Sequence, residues 1–447
     1  MQIDSIRIID FRGIKDSEFY FDPHFNVLIG ENGSGKTSVL EALAAALNPY
    51  VSVSQGKNVR PIRKEDIRIE DFGLHNENKI NTHLIVNGQI ENKPIKWIVR
   101  KPNKDRSDVV ENKGIIQKDG RRIITIKQPP LKKDEDIRKI ARTHLSVLSE
   151  DGGRNLTLPV FDYLGSGRLW QDTHRYIDTL PKGSRYAGLE DCLKSISSLR
   201  RFTEWFKTME LSKLQGNETA KWRIEVVQKS IINCLESWDN VFFGVEDDIL
   251  LAEKDMHSTQ RQRLPVSYLS DGQRNIIGIV ADIAYRCVLL NPYLELNAAK
   301  ESPGIVLIDE LDLHLHPKWQ RTIVQKLKDT FPKIQFITTT HSPFIVQSLK
   351  NEELIDLETK KSDTDYYKKG IEDIAEHEMG VDNPIRSEKY NDMLHAAERY
   401  YDIIEKNENG SLPTELLHEL NEIEIRFTSE PAYVALLKSE KKARLKK

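Results

Sequence analysis

The sequence predicts an α/β protein: a P-loop head with a mixed sheet, an antiparallel side sheet and an inserted helical lobe, followed by a C-terminal helical tail. Three observations carry this prediction. The octet Gly30–Thr37 has phosphate-loop spacing and lies between a buried strand and a helix. Far downstream, the apolar run Gly304–Ile308 ends in two acids, Asp309 and Glu310. Beyond about Leu357, strand-like runs give way to charged helical patterns.

Composition narrows the class. Apolar residues make up 38% of the 447 and charged residues 30%, polar for a globular protein. The 66 basic and 69 acidic residues nearly cancel, to −3, so neither disorder nor a dominant nucleic-acid-binding role is favoured. No apolar stretch approaches the ~20 residues of a membrane span, and the opening MQIDSIRIIDFRG lacks a signal-peptide core. A cytoplasmic protein of roughly three domains, or one large domain with insertions, is expected. Cys192, Cys234 and Cys287 are too scattered for a disulfide scaffold or a zinc site, and each is expected to pack on a helix as a small apolar residue.

Along the chain, Gln2–Ile9, Phe19–Phe21 and Asn26–Ile29 read as strands, and Thr37–Leu47 as a helix ended by Asn48-Pro49. Residues 50–75 read as irregular. Their basic cluster (Arg60, Arg63, Lys64, Arg68) suits either a solvated loop or a phosphate or DNA contact. Segments 81–88, 94–100 and 121–127 read as antiparallel strands, with Asn87-Gly88 and Asp119-Gly120 as turns. Lys132–Ser149 is a predicted helix and Leu158–Tyr163 a predicted strand. From Leu189 to about Val241 the pattern is a helical pair broken at Gly216-Asn217. A helix from Ser270 to about Leu290 follows, then strand Gly304–Ile308, helix Pro317–Thr330, strand Ile334–Thr338 and helix Ser342–Leu349. After a charged linker, Glu388–Lys406, Pro413–Phe427 and Ala432–Lys446 read as tail helices. The expected units are 1–188 (nucleotide lobe and side sheet), 189–262 (helical insertion), 263–358 (remainder of the lobe) and 359–447 (tail).

The chemistry starts at Gly30-Glu31-Asn32-Gly33-Ser34-Gly35-Lys36-Thr37, followed by Ser38. Glycines let the backbone curl so that N–H groups converge on phosphate oxygens, and the following helix adds its positive end. Lys36 is expected at the β/γ-phosphates and Thr37 at Mg²⁺. Asp309 suits a Mg²⁺ role, and Glu310 suits the base that polarises an attacking water. Ser270-Asp271-Gly272-Gln273 forms a second candidate phosphate cradle at a helix start. One chain needs one cradle for its own γ-phosphate, so a second implies that each subunit completes its neighbour's site. His341, closing the next strand, is a candidate sensor of hydrolysis, and Asp312 a candidate dimer-contact residue.

The motif order Gly30–Thr37, Ser270–Gln273, Asp309-Glu310, Asp312 and Thr339–Pro343 is similar to the ABC-type ATPase heads of SMC, RecF and OLD-family proteins. The stretch IRIIDFRGIKD…FNVLIGENGSGKTSVLEALAAAL resembles that family almost position for position, and the likeness covers about residues 1–358. It implies ATP and Mg²⁺ held between two heads, and it makes Arg12 a candidate phosphate contact. Arg168 and Gln171 are candidates for the junction between lobes. Only about 230 residues separate Thr37 from Leu269, too few for the long arms of SMC proteins. The stretch Asn351–Lys447 lacks the strands of the nuclease domain that OLD-type proteins carry, so no intrinsic nuclease is expected.

The compact head with a short helical tail looks like the PtuA-type ATPases of Septu and retron anti-phage systems. That likeness implies a homodimer or higher homo-oligomer working beside a separate HNH nuclease of the PtuB kind. Two other readings stay open: a RecF-like repair ATPase acting on DNA, and a nucleotide-gated scaffold with little turnover. Lys438–Lys447, with six basic groups and one acid, suits a fraying end or docking to DNA or an acidic surface. The pairs Tyr366-Tyr367 and Tyr400-Tyr401 are expected in packing, and His377, Glu378 and His395 form no metal motif.

Overall fold

The computed structural model describes the chain except residues 72–75, 79–80, 103–116, 119–120, 123–134, 150–152, 154, 168–184, 196–198, 236–237, 245–248, 258–259, 359–365, 382–387, 406–413, 429–430 and 446–447. Arg168, Gln171 and the Asp119-Gly120 turn therefore lie outside the described residues. Two compact units emerge, Met1–Ile374 and Ala375–Lys447.

The first unit is built on a five-stranded sheet in the order Val160–Leu164, Gly304–Ile308, Ile334–Thr339, Phe25–Ile29, Leu354–Asp356, every pair parallel. The first four of these strands are buried at every position, the polar Asn26, Asp162, Gln335, Thr338 and Thr339 included, as expected where both sheet faces are covered. Leu354–Asp356 is a strand that the sequence pattern does not announce. Three residues are too few for periodicity to declare.

The antiparallel pairs of this unit lie in separate sheets. The largest has the order Ile14–Tyr20, Gln2–Phe11, Asn81–Ile90, Lys93–Pro102. Burial alternates strictly along Asn81–Ile90, so one face is core and the other is wetter. The hairpin turn falls at Glu91-Asn92, both with positive φ (53° and 60°), and not at Asn87-Gly88. Gly88 is a strand residue that serves close approach: a Cβ there would lie 2.3 Å from the Gln2 carbonyl oxygen.

The helix after the phosphate loop runs from Lys36 to Gln55, straight through Pro49. Asn48-Pro49 does not end it because tertiary contacts carry it past the lost hydrogen bond. Trp97 Nε1 donates to the Ala46 carbonyl at 2.8 Å, and Tyr50 beyond the proline is buried. The Asn48 side chain accepts from the backbone N–H groups of Val59 and Arg60, both at 2.9 Å. Arg60 is not a solvated loop residue. It is buried between Glu41 and Asp66, with Nη1 2.7 Å from Asp66 Oδ2 and Nε 2.6 Å from Glu41 Oε2.

Helices Leu199–Leu214 and Glu218–Cys234 form the predicted pair, the second capped by the Asn217 side chain accepting from Ala220 N at 3.1 Å. A three-stranded antiparallel sheet follows, Asn240–Gly244, Ile249–His257 and Gln260–Pro265, which helical periodicity did not announce. Helix Asp271–Leu290 is then largely buried. Its Arg286 lies between two acids, Nε 3.3 Å from Asp162 and 3.4 Å from Asp282, and Nη1 donates to the carbonyls of Gly188 (2.9 Å) and Glu190 (3.1 Å). The three cysteines are buried and free; Cys192 packs in a turn and not on a helix.

In the second unit, helices Glu388–Glu405, Thr414–Arg426 and Pro431–Leu445 bury Tyr400, Ile403, Ile404, Leu420 and Leu437 against one another. Tyr400 is a packing residue whose hydroxyl donates to Glu424 at 2.7 Å. No described helix in either unit is long and apolar enough to cross a membrane.

Candidate functional site

The parallel sheet decides where the candidate site lies. Phe25–Ile29, Gly304–Ile308 and Ile334–Thr339 run side by side in one direction, so the segments leaving their C-terminal ends converge on one edge. Those segments are the phosphate loop, the acid pair and the Thr340–Ser342 turn. Gly30, Gly33 and Gly35 all have positive φ (143°, 91° and 104°). Gly35 is also the N-cap of helix Lys36–Gln55, a left-handed position that a side chain would strain.

Within the loop, Lys36 Nζ donates to the Gly30 and Glu31 carbonyls at 2.6 and 2.8 Å. Burial pushes its ammonium down in pKa, while Glu358, Asp309 and Glu310 pull it back up. Ser34 Oγ is buried with no hydrogen-bond partner among the described residues. Asn32 and Gly33 are exposed, and Ser38 is half-buried in the helix's first turn.

The loop meets the acid pair directly. Thr37 Oγ1 lies 3.0 and 3.2 Å from the two carboxylate oxygens of Asp309. Thr339 Oγ1 in turn donates to Asp309 Oδ1 at 2.7 Å and accepts from Glu310 N at 2.7 Å. Glu310 has φ 52°, a left-handed conformation costing of order 1 kcal/mol, and it turns the chain sharply off the strand. Asp312 Oδ1 accepts from Thr340 Oγ1 at 2.6 Å and from His341 N at 3.2 Å. So Asp312 ties two loops of its own protomer together, while His341 is exposed beside it.

Arg12 is placed differently. It too has positive φ (48°), and its Nε donates to Asp66 Oδ1 at 2.9 Å, with Nη2 3.8 Å from Glu41. Its guanidinium is thus engaged with the same two acids that hold Arg60.

Ser270 is the N-cap of helix Asp271–Leu290 in a reciprocal capping box: Gln273 N donates to Ser270 Oγ at 3.3 Å, and Ser270 N to Gln273 Oε1 at 3.1 Å. Ser270 is exposed, and the described structure joins it by no hydrogen bond to the phosphate loop of its own chain. Gly272 is buried, and a Cβ there would stand 2.5 Å from the His314 carbonyl oxygen. Asn275 Nδ2 donates to the Leu313 carbonyl at 2.7 Å. The helix start is therefore locked to the loop that follows the acid pair. Sequence reasoning passed over Thr339 and Asn275. The threonine run before His341 was a usable signal, whereas nothing in the sequence marks Asn275.

Sheet, loop and converging strand ends define a P-loop head of the α/β class. Residues 25–347 match the family described as "AAA domain, putative AbiEii toxin, Type IV TA system", and the chain belongs to that family. It is 28% identical over 404 residues to the retron Vc95 probable ATPase of Vibrio cholerae serotype O1 biovar El Tor, covering 79% of this chain and 73% of that protein. It is 31% identical over 259 residues to the Septu protein PtuA of Bacillus thuringiensis, covering 53% of this chain and 62% of the relative. Among solved structures, the SMC head domain from Thermotoga maritima aligns over 80% of this chain and 94% of its own, with 13% identity and a TM-score of 0.39.

Proposed function

We propose that this chain is an ABC-type ATPase of an anti-phage defence system, cytoplasmic, which binds and hydrolyses ATP between two heads and regulates a separate HNH nuclease. The observation that carries the reading is the hydrogen-bonded chain Thr37–Asp309–Thr339–Glu310, which joins the phosphate loop to the acid pair. The likeness to the retron ATPase and the Septu protein supports the defence setting.

The groups present fit a magnesium nucleotide. Loop amides and Lys36 would take the phosphates, with the orphaned Ser34 hydroxyl beside them. Hard oxygens of Thr37 and Asp309 would hold Mg²⁺, which neutralises phosphate charge when bound. Glu310, fixed through its backbone by Thr339, orients and deprotonates the attacking water, and His341 stands exposed nearby to sense the reacting phosphate. Ser270, Gly272 and Gln273 are offered to the nucleotide of a second copy, because Ser270 is exposed and its own loop does not use it. Asp312 steadies this contact from within. Nucleotide state then governs the nuclease, and the chain itself cuts nothing.

The test is complementation in trans. Ser270→Arg and Lys36→Ala chains, each inactive alone, are mixed. Recovery of about one quarter of wild-type turnover is expected on equal mixing, since about half of the dimers are mixed and each of those holds one intact composite site of two. Turnover by a monomer indifferent to Ser270→Arg, or DNA cleavage by the purified chain without a partner, would overturn the reading.

A further inference from the structure

Glu358 belongs to none of the motifs above, yet it touches the phosphate loop. It follows the edge strand Leu354–Asp356, whose residues pair in turn with Val27, Leu28 and Ile29. Leu357 N continues the ladder by donating to the Ile29 carbonyl at 3.2 Å. The pairing thus ends at the level where strand becomes loop, and the next residue is delivered to the loop's mouth. There Glu358 Oε1 accepts from the backbone N–H of Glu31 at 2.7 Å. Its own N–H is tied to Asp356 Oδ1 at 2.9 Å, which fixes the turn. The same Oε1 lies 3.2 Å from where a Cβ on Gly30 would stand, so bare backbone is what permits the approach.

The neighbourhood gives this carboxylate a role. Lys36 Nζ rests on the carbonyls of Gly30 and Glu31, at the same corner of the loop. A phosphate-loop lysine addresses the β- and γ-phosphates, so the terminal phosphate of a bound nucleotide arrives where Glu358 now stands. One N–H cannot serve two anions, and a carboxylate against a phosphate repels it. Glu358 is also exposed, and among the described residues its carboxylate accepts one hydrogen bond, from Glu31 N, so swinging it out costs the fold little.

We propose that Glu358 is a residue that sets selectivity for the terminal phosphate: its carboxylate occupies the Glu31 amide, a nucleoside triphosphate must displace it, and a diphosphate leaves it in place. This rests on the nucleotide reading of the loop and adds to it a brake on triphosphate loading. The head then fills only when ATP outcompetes its own acid.

Equilibrium binding of Mg-ATP and Mg-ADP to the full chain tests this, in wild type, Glu358→Gln, Glu358→Ala and Lys36→Ala. Glutamine keeps an acceptor for the Glu31 amide but removes the charge, while alanine removes both. Both Glu358 variants should tighten Mg-ATP by about five- to tenfold and Mg-ADP by less than about twofold, with alanine at least as large as glutamine. ATP affinity that is unchanged or weakened, or equal tightening of the two nucleotides, overturns the proposal while leaving the nucleotide reading intact. A wild-type chain that binds neither nucleotide, or binds both as well after Lys36→Ala, brings down the reading and this proposal together.

Discussion

Thr37 and Asp309 are 272 positions apart in the chain, yet the threonine hydroxyl lies within 3.2 Å of both oxygens of the aspartate. A hydroxyl and a carboxylate converging in this way are the hard oxygen donors that Mg²⁺ takes. Asp309 is further held by Thr339 at 2.7 Å, so its carboxylate is oriented before any ion arrives. Asp309→Asn and Thr37→Ala should each weaken Mg-ATP binding by about 10- to 100-fold and leave the metal-free affinity almost unchanged. Titrations with and without EDTA decide it; equal losses in both conditions would argue against a shared metal site.

Glu310 should affect the chemical step and spare binding. Its backbone is anchored by Thr339 Oγ1 and its φ of 52° turns the residue off the strand, an arrangement independent of the side chain's charge. Glu310→Gln should therefore fold normally, bind Mg-ATP as wild type does, and lose about 10²- to 10⁴-fold in turnover. Phosphate release measured beside nucleotide binding separates the two effects. Turnover within a factor of two of wild type would remove Glu310 from the mechanism.

The candidate site is legible where chemistry is written in contiguous strings. Gly30–Thr37, Asp309-Glu310 and Ser270 could be read because a loop, a strand end and a helix cap each use neighbouring residues. Contacts that sequence-distant groups make on folding were not legible. The resemblance makes Arg12 a candidate phosphate contact, and nothing in the string announces that its guanidinium also meets Asp66, 54 positions away. Asn48-Pro49 reads as a helix end, and the helix continues because Trp97 and buried packing hold it. Asn87-Gly88 has turn composition, yet the glycine answers the approach of Gln2 from another strand. Local composition cannot report any of these, since the partner that decides each lies elsewhere in the chain.

Arg286 tests how far the buried ion cluster secures the long helix. Asp162 is wholly buried, and burial pushes its carboxyl well above the ordinary value. Arg286 offsets that cost for Asp162 and Asp282 together. Arg286→Met would strand two acids and two carbonyls, so a loss of about 3–5 kcal/mol is expected in denaturant unfolding. Adding Asp162→Asn should recover part of it by replacing one stranded carboxyl with an amide. A loss below about 1 kcal/mol would show that the cluster contributes little.

The Tyr50–His144–Glu91 chain predicts acid sensitivity. Tyr50 Oη lies 2.7 Å from His144 Nδ1, and His144 Nε2 lies 3.0 Å from Glu91. Burial pushes the His144 pKa below its ordinary 6.5 and keeps the Tyr50 hydroxyl protonated. A single neutral tautomer fits: Tyr50 donates to Nδ1, and Nε2 donates to Glu91. Well above pH 6.5 neither the folded nor the unfolded chain protonates this ring, so no linkage arises. As pH falls through that value the unfolded chain takes the proton first, and stability declines until the folded pKa is passed. His83, whose pKa is also lowered by burial, adds to the decline. Unfolding curves between about pH 8 and pH 5 should show the loss, and His144→Gln should flatten it. An unaltered pH profile in that variant would refute the assignment.

Gly272 separates two explanations of the same residue. If serving a second copy's phosphate were its whole role, it would tolerate alanine in the isolated chain, with the loss appearing only on ATP-driven association. The packing gives it a further duty: a Cβ would stand 2.5 Å from the His314 carbonyl, which sits on a backbone with φ 60° that has little room to yield. Asn275 holds the adjacent Leu313 carbonyl at 2.7 Å, so the helix start and the loop after Glu310 must move together. Gly272→Ala should therefore destabilise the isolated chain by about 1–3 kcal/mol and lower turnover, because the displaced loop carries Asp312 and begins at Glu310. Nucleotide affinity at the phosphate loop should hold, since Lys36 and Thr37 lie outside the disturbed segment. Melting curves beside turnover rates distinguish the cases. Wild-type stability with association alone impaired would assign Gly272 to the neighbour's phosphate and not to its own loop.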